Sequence, residues 1–167
     1  MSKPRRLVLV DTMIIFEAHR TGCWARLAGI YELRTVEKVQ EEALAGRKTR
    51  TDYIAVNPAE FGSRIAVEKV SERMLIEAYK ACEDLGLLDD GEKHLLAYIH
   101  SLDPDERPLL LTTADKAAIK VACQLGLKDN LISLGELVER GTLDRDLKTQ
   151  YSKEFLHSER TKFSLGI

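Results

Sequence analysis

Cysteine is scarce in this chain of 167 residues, and long apolar runs are absent from it. The three cysteines, Cys23, Cys82 and Cys123, are far apart and odd in number, which argues against a disulfide framework and a CxxC zinc site. The longest stretch without Asp, Glu, Lys or Arg is HLLAYIHSL, whereas a bilayer-spanning helix needs about 18 apolar residues or more. Asp11 interrupts the apolar run behind the basic start MSKPRR, so a secretory signal is not expected. These absences predict a protein of the reducing cytoplasm that makes no membrane contact.

An excess of positive charge is also missing. The chain has 25 Lys and Arg against 27 Asp and Glu, and its net charge is −2. Its overall field would therefore not hold a nucleic acid, and any such contact must come from a local patch. The candidates are the basic segment GRKTR, with Arg47, Lys48 and Arg50, and Lys116. A run such as GRKTR is more often a solvated turn, and a solvated side chain explains Lys116 equally well.

Apolar strands alternate with helical segments along the chain, which predicts an α/β fold with a parallel sheet between helical layers. RRLVLVD and LLLTTAD are continuous apolar runs typical of buried parallel strands, and YELRT, YIAV, RIAVEKV and NLISL are further candidates. The length fits one domain over residues 1–140, followed by a helical extension over residues 141–167.

Helices are predicted between these strands from apolar spacing and capping residues. The segments are residues 12–28 with a break near Gly22, TVEKVQEEALAG with a stop at Gly46, 71–86, GEKHLLAYIHSL, DKAAIKVACQLG, GELVERG behind a Ser133/Glu136 capping box, and 144–160. In parallel sheets of this kind, ligands bind beyond the carboxyl ends of the strands.

Two acids follow the two clearest strands directly. Asp11 ends RRLVLV and Asp115 comes after LLLTTA, so both are expected at the functional edge of the sheet. Each could instead cap the helix that follows it. A carboxylate inside an apolar run costs several kcal/mol to bury unless it is paired, protonated or bound to a cation, and capping alone explains two such acids poorly.

Two more acids lie near the starts or faces of predicted helices. Glu92 opens GEKHLLAYI, with Asp89 and Asp90 as rivals, and Glu42 follows Val39 by three residues, with Glu41 and Glu37 as rivals. Favourable charge at a helix N-terminus and a solvated helical face are the plainer explanations. If the four acids converge, they repel one another strongly, and oxygen ligands of this kind suit Mg²⁺ or Mn²⁺. Such a cation supports phosphodiester hydrolysis.

The order of these motifs resembles the PIN-domain nucleases, the family that includes the ribonuclease toxins of bacterial toxin–antitoxin pairs. LVLVDTMII is similar to the family's opening strand, TVEKVQEEAL to its second motif, LGLLDDGEKHLLAYI to a third motif with a Gly-Glu pair, and LLLTTADKAAIKVACQLGL to its fourth. The likeness covers roughly residues 5 to 140. It departs at Met13, where many members have Asn or Ser.

The resemblance implies a three-layer α/β/α sandwich and metal-dependent endonucleolytic cleavage of single-stranded RNA. It implies Asp11, Glu42, Glu92 and Asp115 as the catalytic residues and the ligands of Mg²⁺ or Mn²⁺, with Glu41 or Asp90 as substitutes. Thr12, Thr113 and Lys116 are the candidates for substrate contact. An antitoxin protein and a second copy of the chain are the expected partners besides RNA.

Other readings remain beside this one. A haloacid-dehalogenase-like phosphatase would need a second acid at Met13, and a dinucleotide-binding fold would need the GxGxxG that the chain lacks. The stronger alternative is a catalytically inactive PIN-like module that binds RNA or a protein partner. Thermal melting with Mn²⁺ separates the two, because a ligand of the native state raises stability.

Overall fold

A computed structural model describes residues 3–45, 54–103, 105, 109–140 and 146–167. Four strands form one sheet in the order β3-β2-β1-β4, and every neighbouring pair is parallel. The strands are β1 Leu7–Val10, β2 Glu32–Val36, β3 Ala66–Glu68 and β4 Leu110–Thr112. The predicted α/β class and parallel sheet are confirmed, and the arrangement is compatible with a three-layer sandwich.

Nine α-helices lie between and after the strands within the described residues. They are α1 Thr12–Arg20, α2 Trp24–Ile30, α3 Glu37–Leu44, α4 Pro58–Gly62, α5 Glu72–Ala81, α6 Asp90–Ser101, α7 Lys116–Gln124, α8 Leu134–Arg140 and α9 Lys153–Leu165. No helix in this part of the chain combines the length and the apolar character that crossing a bilayer requires.

The hydrophobic core surrounds β1, which is the second strand from one edge and has neighbours on both sides. Val8 and Leu9 are fully buried, as are Ile15 from α1, Val36 at the end of β2 and Ile99 from α6. Burial of each of these side chains contributes about 1.5–3 kcal/mol to the stability of the folded protein. The core therefore holds β1 rigidly. The residue that follows β1 is therefore placed by the best-packed part of the molecule.

Local signals in the sequence explain several helix boundaries. Gly22 has φ +72°, a left-handed conformation that glycine adopts without strain, and it separates α1 from α2 as expected. The predicted capping box is formed: the amide of Glu136 donates to Ser133 Oγ at 3.0 Å, and the amide of Ser133 donates to Glu136 Oε2 at 3.0 Å.

Some predicted elements were wrong in extent. NLISL forms only a single parallel bridge between Leu131 and Leu111, and RIAVEKV contributes three residues as β3. The helix predicted over 71–86 ends at Ala81, and a 3-10 turn over Glu83–Leu87 follows it. The described part of YIAV, residues 54–56, is not a strand, whereas Tyr53, Gly46 and the basic segment GRKTR lie outside the described residues.

The C-terminal helix also begins later than predicted. Residues 144–160 were expected to be helical, but α9 starts at Lys153, because Ser152 caps it by accepting from the amide of Phe155 at 3.2 Å. Before α9 the chain passes through a 3-10 turn, Thr149–Tyr151. Tyr151 and Leu156 are buried in the same core as the strands.

A buried acid ties the extension to α1. Glu17 is 3% exposed, and its carboxylate accepts from Arg20 Nε at 2.5 Å and from the amide of Lys148 at 2.9 Å. The Arg20 guanidinium also donates to the carbonyl of Asp146 at 2.8 Å. These contacts satisfy Glu17 inside the protein and attach the start of the extension to α1.

Candidate functional site

The strand register brings the ends of β1 and β4 together. Val10 is paired with Thr112, so Asp11, the residue after β1, lies beside Thr113. Asp11 is 1% exposed. Its Oδ1 accepts from the amide of Ile14 at 2.9 Å, and its Oδ2 accepts a short hydrogen bond from the Thr113 hydroxyl. The carboxylate is therefore both the N-cap of α1 and a buried group at the sheet edge.

Asp115 lies two residues beyond Thr113 and is half-buried. Its Oδ1 accepts from the amide of Ala118 at 2.9 Å, so it caps α7, and its own amide donates to Thr113 Oγ1 at 3.3 Å. Thr113 thus links the two strand-end acids through one hydroxyl. Both capping roles proposed from the sequence are present together with the proximity of the two acids.

Glu42 reaches this edge from α3. The Thr12 hydroxyl donates to Glu42 Oε2 at 2.8 Å, and the amide of Gly91 donates to Glu42 Oε1 at 2.9 Å. These bonds connect Glu42 to the first turns of α1 and α6. The rival Glu41 instead pairs with Lys38 at 3.2 Å, and its side chain is 66% exposed. These contacts distinguish Glu41 from Glu42, which is held by the first turns of α1 and α6.

Gly91 provides space as well as a donor. A Cβ at this position would overlap Glu42 Oε2 and would lie 2.9 Å from Cδ, closer than real Cβ atoms approach other heavy atoms. The Gly-Glu pair at the start of α6 therefore has a physical reason: the glycine admits Glu42, and the next residue contributes its own acid. This role of Gly91 was not predicted from the sequence. The Gly-Glu pair is the feature of the sequence that indicates it.

Glu92 is surrounded by the other acids. Burial, followed by the negative charges of Asp11, Asp115, Asp89 and Glu42, raises the pKa of Glu92 from 4.5 to about 9. The rival Asp90 is 61% exposed and pairs with Lys93 at 3.6 Å, so it lies on the solvent side of this group. The four predicted acids, Asp11, Glu42, Glu92 and Asp115, lie close together, and the rival Asp89 is near enough for its charge to act on Glu92.

The cavity beneath these acids is small and mostly apolar. It measures about 10 Å³ and is lined by Asp11, Glu92, Thr113, Leu95, Leu96, Leu111 and Ala118. This volume is near the lower limit for one water molecule. The apolar wall explains why an ionised Glu92 is disfavoured. On the outer side, Glu42 lines an open cleft of about 200 Å³ with Lys38, Glu41, Ala45 and Asp90.

Thr12 and Thr113, predicted as substrate contacts, are engaged with the acids. Both are buried, and their hydroxyls donate to Glu42 and Asp11 respectively. Lys116, at the start of α7, has a side chain that is 67% exposed.

The donor set is suitable for Mg²⁺ or Mn²⁺, because carboxylates and hydroxyls are the ligands that these hard cations prefer. The arrangement is not a ready coordination shell. Among the described residues, no group of three or more His, Cys, Asp or Glu side chains forms a metal site as it stands. A cation would have to draw the four carboxylates closer together while it removes their mutual repulsion.

Comparison with known proteins adds no assignment: no family model and no curated protein matches this chain.

Proposed function

We propose that the chain is a PIN-like endoribonuclease that hydrolyses phosphodiester bonds of single-stranded RNA with Mg²⁺ or Mn²⁺. The observation that carries this proposal is the convergence of four acids from four different elements. Two hydrogen-bond links support it: Thr113 joins the ends of β1 and β4, and Glu42 joins the first turns of α1 and α6. The charges of Asp11, Asp115 and Glu42 also raise the pKa of Glu92, as expected for acids that lie close together.

The chain's own residues hold the reacting groups. Asp11, Glu42 and Asp115 are each fixed by at least one hydrogen bond from a backbone amide, so their orientations are set before substrate arrives. Lys116 lies next to Asp115 and is exposed enough to contact a phosphate oxygen. When bound, the cation would supply Lewis acidity that activates a water and offsets phosphate charge.

The test is cleavage of an end-labelled pool of single-stranded RNA in Mn²⁺, Mg²⁺ and EDTA. Asp11→Asn and Asp115→Asn are compared with wild type, because asparagine caps a helix about as well as aspartate and should preserve α1 and α7. Asp129→Asn is the control: Asp129 is exposed and lies in the turn beyond the opposite end of α7. We expect metal-dependent cleavage that both site variants abolish and the control retains. Cleavage that survives in both site variants would contradict the proposal.

One observation favours the alternative, a PIN-like module that binds RNA or a protein such as an antitoxin without cutting. It is the lack of a ready three-acid metal group in the described part of the chain. Melting with millimolar Mn²⁺ distinguishes the two. A cation at 100 times its Kd stabilises the native state by about 2.7 kcal/mol, or about 5–10 °C for a protein of this size. No shift, together with no cleavage, would support the binding module.

A further inference from the structure

A groove of about 400 Å³ runs between α7 and α9, beginning at the residue after Asp115. Its apolar surface comes from Ile119, Phe163 and Ile167, and Lys116, Lys120 and Lys162 line it. The volume falls in the range of small-ligand pockets. Apart from Lys116, the residues that line this groove have no role in the proposed chemistry of the four acids.

The charge of the groove is positive on balance. Its lining includes three lysines and a single acid, Glu159, which is 13% exposed. Glu159 pairs with Lys162 at 3.2 Å and approaches Lys116 at 4.0 Å, so it holds two of the lysines beside the groove. Lys116 also lies over the ring of Phe155, with its Nζ 5.9 Å from the ring centroid. This surface stands out because the whole chain has a net charge of −2.

The groove also has a direction. Lys116 and Lys120 are four residues apart on one helix, about 6 Å along its axis, and the first of them adjoins Asp115. A chain of phosphates that leaves the acids would therefore meet one lysine after another. Phe163 is half-buried in α9 and offers a ring beside them. Cations in series beside an aromatic ring are typical of surfaces that bind single-stranded nucleic acid.

We propose that the groove between α7 and α9 binds a nucleotide of the single-stranded RNA next to the scissile phosphate, with its phosphates on Lys120 and Lys162 and its base against Phe163. This inference rests on the proposed ribonuclease activity and adds a subsite to it. It also gives the C-terminal extension a function, since α9 supplies one wall of the groove.

The test is binding of labelled single-stranded RNAs of about 4 and about 16 nucleotides, measured by fluorescence anisotropy with Ca²⁺ in place of Mn²⁺ over a range of salt concentrations. The Lys120→Gln/Lys162→Gln double variant should weaken binding of the longer RNA. The slope of log K against log salt should become shallower by about 1.4, because each lost phosphate contact on a single strand removes about 0.7. Phe163→Leu keeps the apolar bulk but loses the ring, and should weaken binding roughly 5- to 150-fold.

The matched control is Lys80→Gln/Lys153→Gln. Lys80 pairs with Glu77 at 3.2 Å, as Lys162 does with Glu159, and both control lysines are exposed outside the groove. The control double variant removes the same charge and should change the salt slope less than the groove variant. Equal slopes for the two double variants would overturn the inference.

The experiments distinguish an error in the groove inference from an error in the proposed ribonuclease function. If wild type cuts RNA in Mn²⁺ but the groove variants bind RNA as wild type does, the groove inference is wrong and the proposed function stands. If wild type neither cuts nor binds RNA, both are wrong. Binding of an acidic peptide, polyglutamate, that the groove variants abolish while RNA binding is unchanged would assign the groove to a protein partner instead.

Discussion

The backbone amide of Gly91 and the carboxylate of Glu42 are in direct contact, 2.9 Å from nitrogen to Oε1, at a place where no side chain fits. Forty-nine residues separate them in the chain. The contact fixes the third helix against the start of the sixth and places the acid of one beside the acid of the other. Glycine is required here for close approach; its backbone needs no left-handed conformation.

Gly91→Ala is expected to destabilise the protein by about 1–3 kcal/mol, since the new methyl group must displace Glu42. It should also weaken any stabilisation by Mn²⁺, because Glu42 moves out of the acid group. Gly29→Ala is the matched control: Gly29 is an exposed helical residue with no heavy atom within 4 Å of the added Cβ. It should stabilise slightly, by about 0.5–1 kcal/mol. The measurement is thermal melting of both variants with and without Mn²⁺. An unchanged melting temperature for Gly91→Ala would contradict the close packing of Gly91 against Glu42.

Thr113→Val tests the link between the two strand ends. Valine keeps the shape of threonine but leaves Asp11 Oδ2 without its hydroxyl donor, which should cost about 1–3 kcal/mol. The neighbouring Thr112→Val is the control, because Thr112 Oγ1 is buried without a hydrogen-bond partner among the described residues. The control should be neutral or stabilising. Urea unfolding measures both variants. If Thr113→Val and Thr112→Val lower the free energy of unfolding equally, then burial of the hydroxyl, rather than its bond to Asp11, determines the cost.

The pKa of Glu92 predicts how the metal-free protein responds to pH. Its folded-state pKa is about 9 and its ordinary value is 4.5, so between these limits the folded protein keeps a proton that the unfolded chain releases. Stability from this group is complete below pH 4.5 and is lost as pH rises toward 9. Glu92→Gln removes the effect, so the variant should become more stable relative to wild type as pH increases.

Urea unfolding in EDTA at a series of pH values measures the difference between wild type and Glu92→Gln. Other titrating groups cancel in that difference if they behave alike in both proteins. Curves that stay parallel from acid to alkaline pH would mean that folding does not raise the pKa of Glu92. Each kcal/mol gained by the variant should appear as about 2–4 °C in its melting temperature.

The strand-end acids could be predicted because short-range signals mark them. Asp11 and Asp115 interrupt or end apolar runs, and parallel topology alone puts such positions at one edge. The bond between Asp11 and Thr113 could not be predicted, since it spans 102 residues and depends on β1 pairing with β4 in one particular register.

The errors have local causes. NLISL has a strand's composition, but only Leu131 reaches β4, and at Ser133 the capping box starts α8. In the C-terminal extension, the helix predicted over residues 144–160 includes Leu147 and Tyr151. Capping by Ser152 starts α9 later, which leaves Tyr151 in a turn from which its hydroxyl donates to the carbonyl of Met13 at 3.3 Å. In both places a local side-chain cap sets the start of the helix.

Glu41 and Glu42 are neighbours in α3, but their side chains have different environments. Glu42 accepts from Thr12 and Gly91, whereas Glu41 pairs with Lys38 and is 66% exposed. Glu42→Gln should abolish metal-dependent RNA cleavage and the Mn²⁺-induced rise in melting temperature, because the remaining three acids hold a cation less tightly. Glu41→Gln should change stability by less than about 0.5 kcal/mol and leave both readouts intact, since an exposed i,i+3 pair contributes little. If the two variants lose Mn²⁺ stabilisation equally, the cation does not bind where Thr12 and Gly91 hold Glu42.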